Sequence, residues 1–481
     1  MRATRSVQPA TARSRPATAR RVPVLLGIAA AIIAAAMLLP IAYLLLRAIN
    51  ADAGVWQQIM RPRTLQVFGQ SALLAISVTA GSIMLGAPLA WLTSLSDLPG
   101  RRWWAVLVVL PLVIPSYVGG YVFVSAFGPR GLLQSLLEGP FGVQRLPDLY
   151  GFWGTWLTLT LLSYPYIVLN VQVALRNLDP ALEEAARSLG YSAWQTFWRV
   201  VLPQLRPALA AGSLLVMLYT LSDFGAVSLL QFNSFSRAIY IQYRSAFNRD
   251  YAATLALMLV LFTAIIVLIE VWTRGRARYH RSTAGVVKPR PPVKLGRWRW
   301  PALLLCGTTV IFGLVLPVGV VSFWLARGLQ QGEPLRLVWS AAWNSIYASA
   351  LAALVAVPAA LPVALLAVRF RSRWSSLTEG ITYAGYALPG IVIALALVRF
   401  ASQYAPLVYQ TLALMVFAYV LRFLPQAIGA VRAALLTVSP SVEEAARSLG
   451  HSPFHVTWRV TLPLIRSGLL GGGALVFLTT M

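Results

Sequence analysis

The stretch Glu-Glu-Ala-Ala-Arg-Ser-Leu-Gly at residues 183–190 occurs a second time, letter for letter, at residues 443–450. The match continues downstream, where Arg-Val-Val-Leu-Pro at 199–203 corresponds to Arg-Val-Thr-Leu-Pro at 459–463, again 260 residues later. Both copies are polar, although 58% of the chain is hydrophobic. A polar element repeated at one fixed spacing in so apolar a chain indicates a functional element in each of two homologous halves.

Helix-capping signals surround each copy. Asp-Pro at 179–180 and Ser-Pro at 439–440 each supply an N-cap followed by proline at the first helical position. Gly190 and Gly450 stand where a glycine ends a helix. A second short helix is predicted to begin at Ser192, with a glutamine three residues later as its capping-box partner. Each copy is therefore predicted to be a helix–glycine–helix elbow that ends at Leu-Pro.

The pattern Glu-Ala-Ala-x3-Gly-x9-Val-x-Leu-Pro, at 184–203 and 444–463, resembles the coupling motif of ABC importer permeases. In that family the loop docks into a cleft on a separate ATPase subunit, which binds the ATP and Mg. The resemblance implies an all-α type I ABC importer transmembrane fold with two homologous parallel halves. The ATPase-coupling residues that it implies are Glu183, Glu184, Ala185, Ala186, Gly190, Leu202, Pro203, Glu443, Glu444, Ala445, Ala446, Gly450, Leu462 and Pro463.

Composition predicts a membrane protein, since charged residues make up only 11% of the chain and the mean hydropathy is +0.70. Apolar runs of about 20 residues, the length that crosses the hydrocarbon of a bilayer, recur along the chain. Eleven spans are expected, and a full-length relative would carry twelve. The expected spans lie near 23–47, 66–94, 102–127, 149–175, 207–230, 252–272, 301–326, 342–368, 375–401, 406–431 and 464–481.

The formal net charge of +26 reflects topology rather than nucleic-acid binding. If the expected spans alternate, 28 of the 40 Lys and Arg residues lie on the side of both elbows and 11 on the other. Cytoplasmic loops of membrane proteins carry such an excess of basic residues. The N-terminus, the elbows and the segment 273–300 are therefore predicted to be cytoplasmic, in a multi-pass protein of the inner membrane.

The same patterns predict the domain organisation. Residues 1–22 carry six Arg and no acid and are expected to be a disordered basic tail. The first half covers 23–272 with its coupling loop at 179–203, and a basic linker follows at 273–300. The second half covers 301–481 with its coupling loop at 439–463. Because Met481 aligns with position 221 of the first half, the second half is expected to lack a last span, by truncation or an early stop.

Two further stretches resemble the fused permeases of ferric-iron ABC importers, namely Ile114–Gly120 and Ser222–Tyr240. Thiamine and phosphonate permeases share this layout, so the resemblance leaves those solutes open. It also implies a periplasmic solute-binding protein as a partner.

Three residues are candidates for the solute pathway: Asp223, Tyr164 and Arg422. Asp223 could offer oxygen ligands to iron together with Tyr240 and Tyr243, or it could be an interfacial cap beside an aromatic belt. Arg422 is the one cation deep in a span and is expected to have a partner, for which Glu379 is a candidate.

Catalytic constellations are missing from the sequence. The chain has two lysines, Lys288 and Lys294, and neither follows the glycines of a P-loop, so ATP hydrolysis is expected on another chain. His451 and His455 stand four residues apart, but the first half has Tyr191 and Gln195 at these positions, and no metal site is expected. A gradient-driven secondary transporter is the main alternative class, and a membrane-embedded enzyme is a weaker one.

The charge asymmetry generates a prediction about orientation. A cysteine introduced at position 285 or 192 is expected to resist a membrane-impermeant thiol reagent added to intact cells and to react once the membrane is permeabilised. The native Cys306 lies in an apolar run and should give little background. Labelling of either position from outside would contradict the predicted topology.

Overall fold

The computed structural model describes residues 22–50, 52–178, 180–245, 249–274, 292–332, 336–370 and 372–481. Almost all of the predicted basic tail and most of the predicted linker lie outside these ranges. Within them the chain forms helices and no strand, apart from one isolated bridge between Ser96 and Val293. The helices are α1 Val24–Ile49, α2 Ala53–Ile59, α3 Pro62–Leu95, α4 Arg101–Leu107, α5 Ser116–Phe127, α6 Leu132–Phe141, α7 Phe152–Asn177, α8 Pro180–Ser188, α9 Ala193–Thr196, α10 Leu202–Ser222, α11 Gly225–Leu229, α12 Phe235–Ser245, α13 Arg249–Arg274, α14 Arg299–Val310, α15 Leu316–Gln330, α16 Arg336–Arg369, α17 Arg373–Ala387, α18 Gly390–Tyr404, α19 Leu412–Thr437, α20 Pro440–Ser448, α21 Pro453–Val456, α22 Leu462–Leu464 and α23 Arg466–Thr480.

Among the described residues, eight helices are long and apolar enough to cross a bilayer, and two bent helix pairs raise that number to ten. The ninth expected span, 375–401, is divided between α17 and α18, and α18 is a shorter apolar helix. The all-α membrane fold expected from the sequence is therefore confirmed, although several of its spans are not single straight helices.

Proline explains two of the breaks in these spans. The expected span 102–127 bends by 96° between Val113 and Ser116, where Ile114 is extended in front of Pro115. The gap between α17 and α18 contains Pro389, which caps the start of α18. Proline disfavours a helical conformation in the residue before it and donates no backbone hydrogen bond, so each helix ends there and a new one begins.

The repeat seen in the sequence is matched by helix lengths. Helix α3 in the first copy of the repeat and helix α16 in the second copy each have 34 residues. The long helix before each elbow, α7 or α19, has 26 residues. The first arm of each elbow, α8 or α20, has nine. Position for position, the last residue of α3, Leu95, therefore corresponds to the last residue of α16, Arg369.

Helices α3 and α7 pack closely and run in the same direction. Trp156 Nε1 donates a hydrogen bond to the Ser77 carbonyl oxygen at 2.9 Å, and near the other end Gln172 Nε2 donates to Thr93 Oγ1 at 2.9 Å. Between them Gly86 has no room for a side chain, because a Cβ there would lie 2.8 Å from Ile167 Cβ. The carboxyl ends of α3 and α7 therefore lie at the same end of the helix pair.

The chain divides into two compact units. One comprises Met1–Leu39, Asn344–Tyr386 and Met415–Met481, and the other comprises Pro40–Trp343 and Ala387–Leu414. The units interleave along the chain, so neither coincides with a predicted half. The halves at 23–272 and 301–481 stay a prediction about the repeat.

The described end of the predicted linker is tied to the turn between α3 and α4. The Val293 N–H donates to the Leu95 carbonyl oxygen at 2.8 Å, and the Asp97 N–H donates to the Val293 carbonyl oxygen at 3.0 Å. Asp97 adds its side chain, which accepts hydrogen bonds from the Leu295 N–H at 2.9 Å and from the Arg299 guanidinium at 2.5 Å. These two donors lower the pKa of the Asp97 carboxyl from its ordinary value.

Removing this carboxylate should free the end of the linker. In Asp97→Ala the amides of Val293 and Leu295 are expected to exchange hydrogen faster than in the wild type, because the carboxylate that Leu295 and Arg299 contact is lost. The folded-state pKa of the Asp97 carboxyl is lowered. The stability that this carboxylate gives to the folded linker end is therefore present above the ordinary carboxyl pKa and is lost as the pH falls through the lowered value.

Asp148→Ala is the matched control, because the exposed Asp148 carboxylate bonds to Arg145 three residues before it. Amide exchange measured by mass spectrometry would contradict the prediction if Asp97→Ala left both linker amides as protected as in the wild type.

Candidate functional site

The turn after α8 has the backbone geometry that its sequence predicts. Gly190 adopts φ +86°, in the left-handed region that favours glycine. Its N–H donates to the Arg187 carbonyl oxygen at 3.0 Å, and the Tyr191 N–H donates to the Ala186 carbonyl oxygen at 3.1 Å. This pair of bonds is a Schellman motif, which satisfies carbonyl groups at the end of the helix and reverses the chain.

The second elbow repeats this turn with different neighbours. Gly450 also has φ +86°, and its N–H donates to the Arg447 carbonyl oxygen at 2.9 Å. The His451 N–H donates to the Ala446 carbonyl oxygen at 3.4 Å. Both glycines have open space where a Cβ would stand, so the backbone conformation and not crowding requires glycine.

The second arm of each elbow also begins as expected. Ser192 and Gln195 form a reciprocal capping box, since the Ser192 N–H donates to Gln195 Oε1 at 3.0 Å and the Gln195 N–H donates to Ser192 Oγ at 3.2 Å. In the second elbow Ser452 Oγ accepts from the His455 N–H at 3.3 Å. The N-cap predicted at Ser439 is confirmed, because its side chain accepts from the Ser441 N–H. Asp179, the corresponding cap, lies outside the described residues.

The Leu-Pro pair marks a π turn in both elbows. The Leu202 N–H donates to the Phe197 carbonyl oxygen, five residues back, and the Leu462 N–H donates in the same way to the Thr457 carbonyl oxygen. The next residue in each case is a proline, Pro203 or Pro463, which has no N–H to continue the helical ladder. The motif thus sets one extra residue into the helical path just before the chain returns into the apolar region.

Each elbow exposes large apolar side chains at corresponding positions. Leu189 and Leu449 are 78% and 79% exposed. The second arms add the pairs Trp194 and Phe454, and Trp198 and Trp458, all of which are exposed. Exposed apolar groups beside charged ones are typical of a surface that docks another protein.

The acidic residues of the two elbows differ in burial. Glu184 and Glu444 are exposed, whereas Glu183 is half-buried. Glu443, which the sequence placed with the docking residues, is buried: Arg369 Nε donates to its Oε1 at 3.0 Å, and Thr461 Oγ1 donates to the same oxygen at 3.3 Å. Its carboxylate is therefore bonded inside the protein, and the coupling role that the resemblance implies for Glu443 stays a prediction.

The alanine pairs of the motif are placed unequally as well. Ala185 and Ala445 are exposed, Ala186 is buried and Ala446 is half-buried. One alanine of each pair thus faces outward, next to the exposed glutamate, and the other faces the protein.

Of the three candidate pathway residues, Asp223 lies in a tight turn. Its Oδ1 accepts from the Val227 N–H at 3.2 Å, its carbonyl oxygen accepts from the Ser236 hydroxyl, and the residue is 6% exposed. This is the arrangement of a helix cap. Tyr240 packs against Phe224 with ring centroids 4.6 Å apart and the ring planes tilted by 54°. The structure thus uses these groups in the turn, and a role in iron ligation stays a prediction.

Tyr164 and Arg422 are placed differently from each other. Tyr164 is fully buried in the core around α3 and α7, and its hydroxyl has no hydrogen-bond partner in the described structure. Arg422 is half-buried, with its guanidinium over the Phe423 ring at 5.4 Å from the centroid. Glu379, its candidate partner, forms an ion pair with Arg432.

A cavity of about 510 Å³ lies at the amino-terminal end of α3, opposite the turn that holds the linker. Gln58, Gln70, Asn233 and the two arginines Arg61 and Arg63 line it, and no acidic side chain is among its described lining residues. The sequence did not indicate this cavity, because its polar residues are scattered over α2, α3, α12, α13 and the loops before α3 and α12.

The described residues contain no group of three or more His, Cys, Asp or Glu that could hold a metal ion. His451 and His455 stack with ring centroids 4.6 Å apart.

The sequence did not identify Arg369 and Thr461 as site residues. Local sequence gave no signal for this pair, because the contact between Arg369 and Glu443 joins residues 74 positions apart.

Similarity to known proteins agrees with this geometry. Residues 82–278 and 356–481 match the family model of the binding-protein-dependent transport system inner membrane component. The Fe(3+)-transport system permease protein FbpB 2 of Haemophilus influenzae is 34% identical over 92% of this chain and 85% of its own length. The ferric transport system permease protein FbpB of Actinobacillus pleuropneumoniae is 27% identical over 78% of this chain and 57% of its own.

The sulfate transport system permease protein CysT of Escherichia coli is 29% identical over 52% of this chain and 90% of its own length. Its alignment covers about one half of this chain, whereas both ferric permeases extend over most of it. The family model alone matches more than half of the residues, and its two segments each contain one elbow. The chain therefore belongs to the binding-protein-dependent inner membrane components, the permeases of ABC importers.

Proposed function

We propose that this chain is the permease of an importer for ferric iron. A periplasmic binding protein delivers the solute to the side opposite the elbows, and two separate ATPase subunits each grip one elbow on the cytoplasmic side. The observation that supports ferric iron as the solute is the 34% identity to a ferric permease over most of both chains. The N-terminus is cytoplasmic in this proposal, and ATP and Mg are bound by the ATPase subunits.

The elbows supply a mechanical contact rather than chemistry. Leu189 and Trp194 in the first elbow, and Leu449 and Phe454 in the second, give each ATPase subunit an apolar surface to bury. The exposed Glu184 and Glu444 beside them suit basic groups on that subunit. When ATP closes the two ATPase subunits, the elbows move with them, and the helices that follow change the access of the pathway from outside to inside.

The cavity at the amino-terminal end of α3 favours a second candidate, import of an oxyanion. Its arginines and side-chain amides offer hydrogen-bond donors for an anion, whereas bare ferric iron prefers anionic oxygen ligands. The similarity to a sulfate permease over half of the chain agrees with this candidate. Thiamine, phosphonate and gradient-driven transport have no comparable observation.

Transport by the reconstituted complex tests the function. Membrane vesicles that hold the permease with its ATPase, supplied with the binding protein outside, are expected to accumulate labelled ferric iron only when ATP is inside. Labelled sulfate under the same conditions measures the second candidate. Iron uptake that continues without ATP, and collapses when an ion gradient is dissipated, would refute the ATP-driven mechanism.

The glycine turns generate a prediction about coupling. Gly190→Arg and Gly450→Arg are each expected to stop uptake while the permease still inserts, because a side chain at φ +86° strains the turn and redirects the second arm. Uptake, membrane insertion and co-purification of the ATPase are measured together. Gly139→Arg is the matched control, since Gly139 is an exposed helical glycine with open space around it and no left-handed backbone.

Removing a glutamate from the same surface should reduce uptake less than the glycine variants do. Glu184→Ala or Glu444→Ala removes one charge-assisted contact, worth on the order of 1.5–3 kcal/mol, and should weaken uptake without abolishing it. The double variant should be worse than either. Glycine variants that keep both ATPase binding and full uptake would exclude the coupling role.

A further inference from the structure

The carboxyl end of α16 holds the second elbow through a buried ion pair. Arg369 Nε donates to Glu443 Oε1 at 3.0 Å, and the two side chains are 7% and 4% exposed. The other arm of the guanidinium donates to the Val438 carbonyl oxygen at 3.0 Å, just before the elbow begins. One arginine therefore fixes both the approach to the elbow and its first helix.

The second arm of the elbow joins the same contact. Thr461, in the π turn before Leu462, donates its hydroxyl to Glu443 Oε1 at 3.3 Å and is itself buried. Glu443 thus links α16, through Arg369, to the second arm, through Thr461. We call the three residues Arg369, Glu443 and Thr461 the clasp.

The first elbow has apolar residues where the clasp has its arginine and threonine. Leu95 corresponds to Arg369 at the end of the matched 34-residue helix, and Val201 corresponds to Thr461 in the matched π turn. Val201 is buried in an apolar cluster, and Leu95 packs against that cluster. The two elbows share eight letters of sequence, but at these two positions the first has apolar side chains and the second has Arg369 and Thr461, which bond to Glu443.

These two kinds of contact respond differently to force. Apolar contact is non-directional and tolerates a small shift or rotation. A charge-assisted hydrogen bond weakens steeply when its geometry changes, and a buried one leaves an uncompensated charge if it breaks. An elbow held by the clasp therefore moves together with α16 rather than sliding over it.

We propose that Arg369 is a positioning residue that makes the second elbow and α16 move as one body, so that ATPase motion at this elbow is transmitted to α16. This inference rests on the proposed ATPase coupling, and it does not depend on which solute is carried.

Spin-label distances test the positioning directly. In the full-length permease in nanodiscs, labels at Ser448 on α20 and Leu354 on α16, both exposed, are expected to give a narrow distance distribution. Arg369→Leu, which introduces the residue found at position 95, should broaden that distribution. Labels at Ser188 and Leu73 report on the first elbow and α3 and should be unaffected.

A second readout separates positioning from simple loss of fold. ATP hydrolysis by the assembled complex, stimulated by solute-loaded binding protein, should fall by about tenfold or more in Arg369→Leu, since a buried pair has been broken. Basal hydrolysis and ATPase co-purification should persist, because the docking surfaces are intact. Arg369→Lys keeps the charge without the planar fork and should recover part of the stimulation.

Arg432→Leu is the matched control, because it breaks another ion pair of the same compact unit, between Arg432 and Glu379, that does not include an elbow residue. It should leave the distance distribution and the stimulation near the wild-type values. The proposal is overturned if Arg369→Leu keeps the narrow distribution, or if Arg432→Leu lowers stimulation equally.

The proposed function can fail separately. If the wild type binds its ATPase but accumulates no ferric iron, the proposal of ferric iron as the solute is refuted. The spin-label distances then still test whether Arg369 positions the second elbow. If no ATPase co-purifies with the wild type, the coupling role fails, and the clasp is then only a structural contact.

Discussion

A bilayer interior cannot satisfy a peptide group, and this constraint underlies the arrangement of the whole chain. Helices satisfy their own backbone, so the apolar stretches fold as helices, and every interruption has to be compensated locally. At the elbows, which are predicted to lie outside the bilayer, two backbone bonds close the turn at Gly190, and the box between Ser192 and Gln195 caps the start of α9. The polar motif of the sequence is thus first a way of ending and restarting a helix.

The residues of each elbow have separate roles. The glycine turn sets the angle between the arms, the capping residues fix their ends, and the exposed Leu189 and Trp194 are left for a partner. In the second elbow one glutamate of the motif faces outward and the other is drawn into the clasp with Arg369. The two adjacent glutamates of this elbow therefore have different roles, since neighbouring positions on a helix face different directions.

The close packing of α3 and α7 gives the first elbow its position. Their contacts run in register from Ser77 and Trp156 to Thr93 and Gln172, so the turn that holds the linker and the start of α8 lie at one end. The arginine-lined cavity lies at the other end of α3. A helix of 34 residues is about 50 Å long at 1.5 Å per residue, which exceeds the hydrocarbon thickness, and it therefore separates the two sites by more than a membrane span.

The sequence alone determined the helical class, most span positions, the two elbows and their caps, because helix periods, prolines and glycines act within a few residues. It did not determine that α17 and α18 are separate helices, since a hydropathy pattern averages over the break at Pro389. Only the tertiary structure decided that Glu443 is buried against Arg369 while Glu444 is exposed. These two glutamates differ in long-range contact and not in local sequence, so the folded packing of α16 on the elbow assigns their roles.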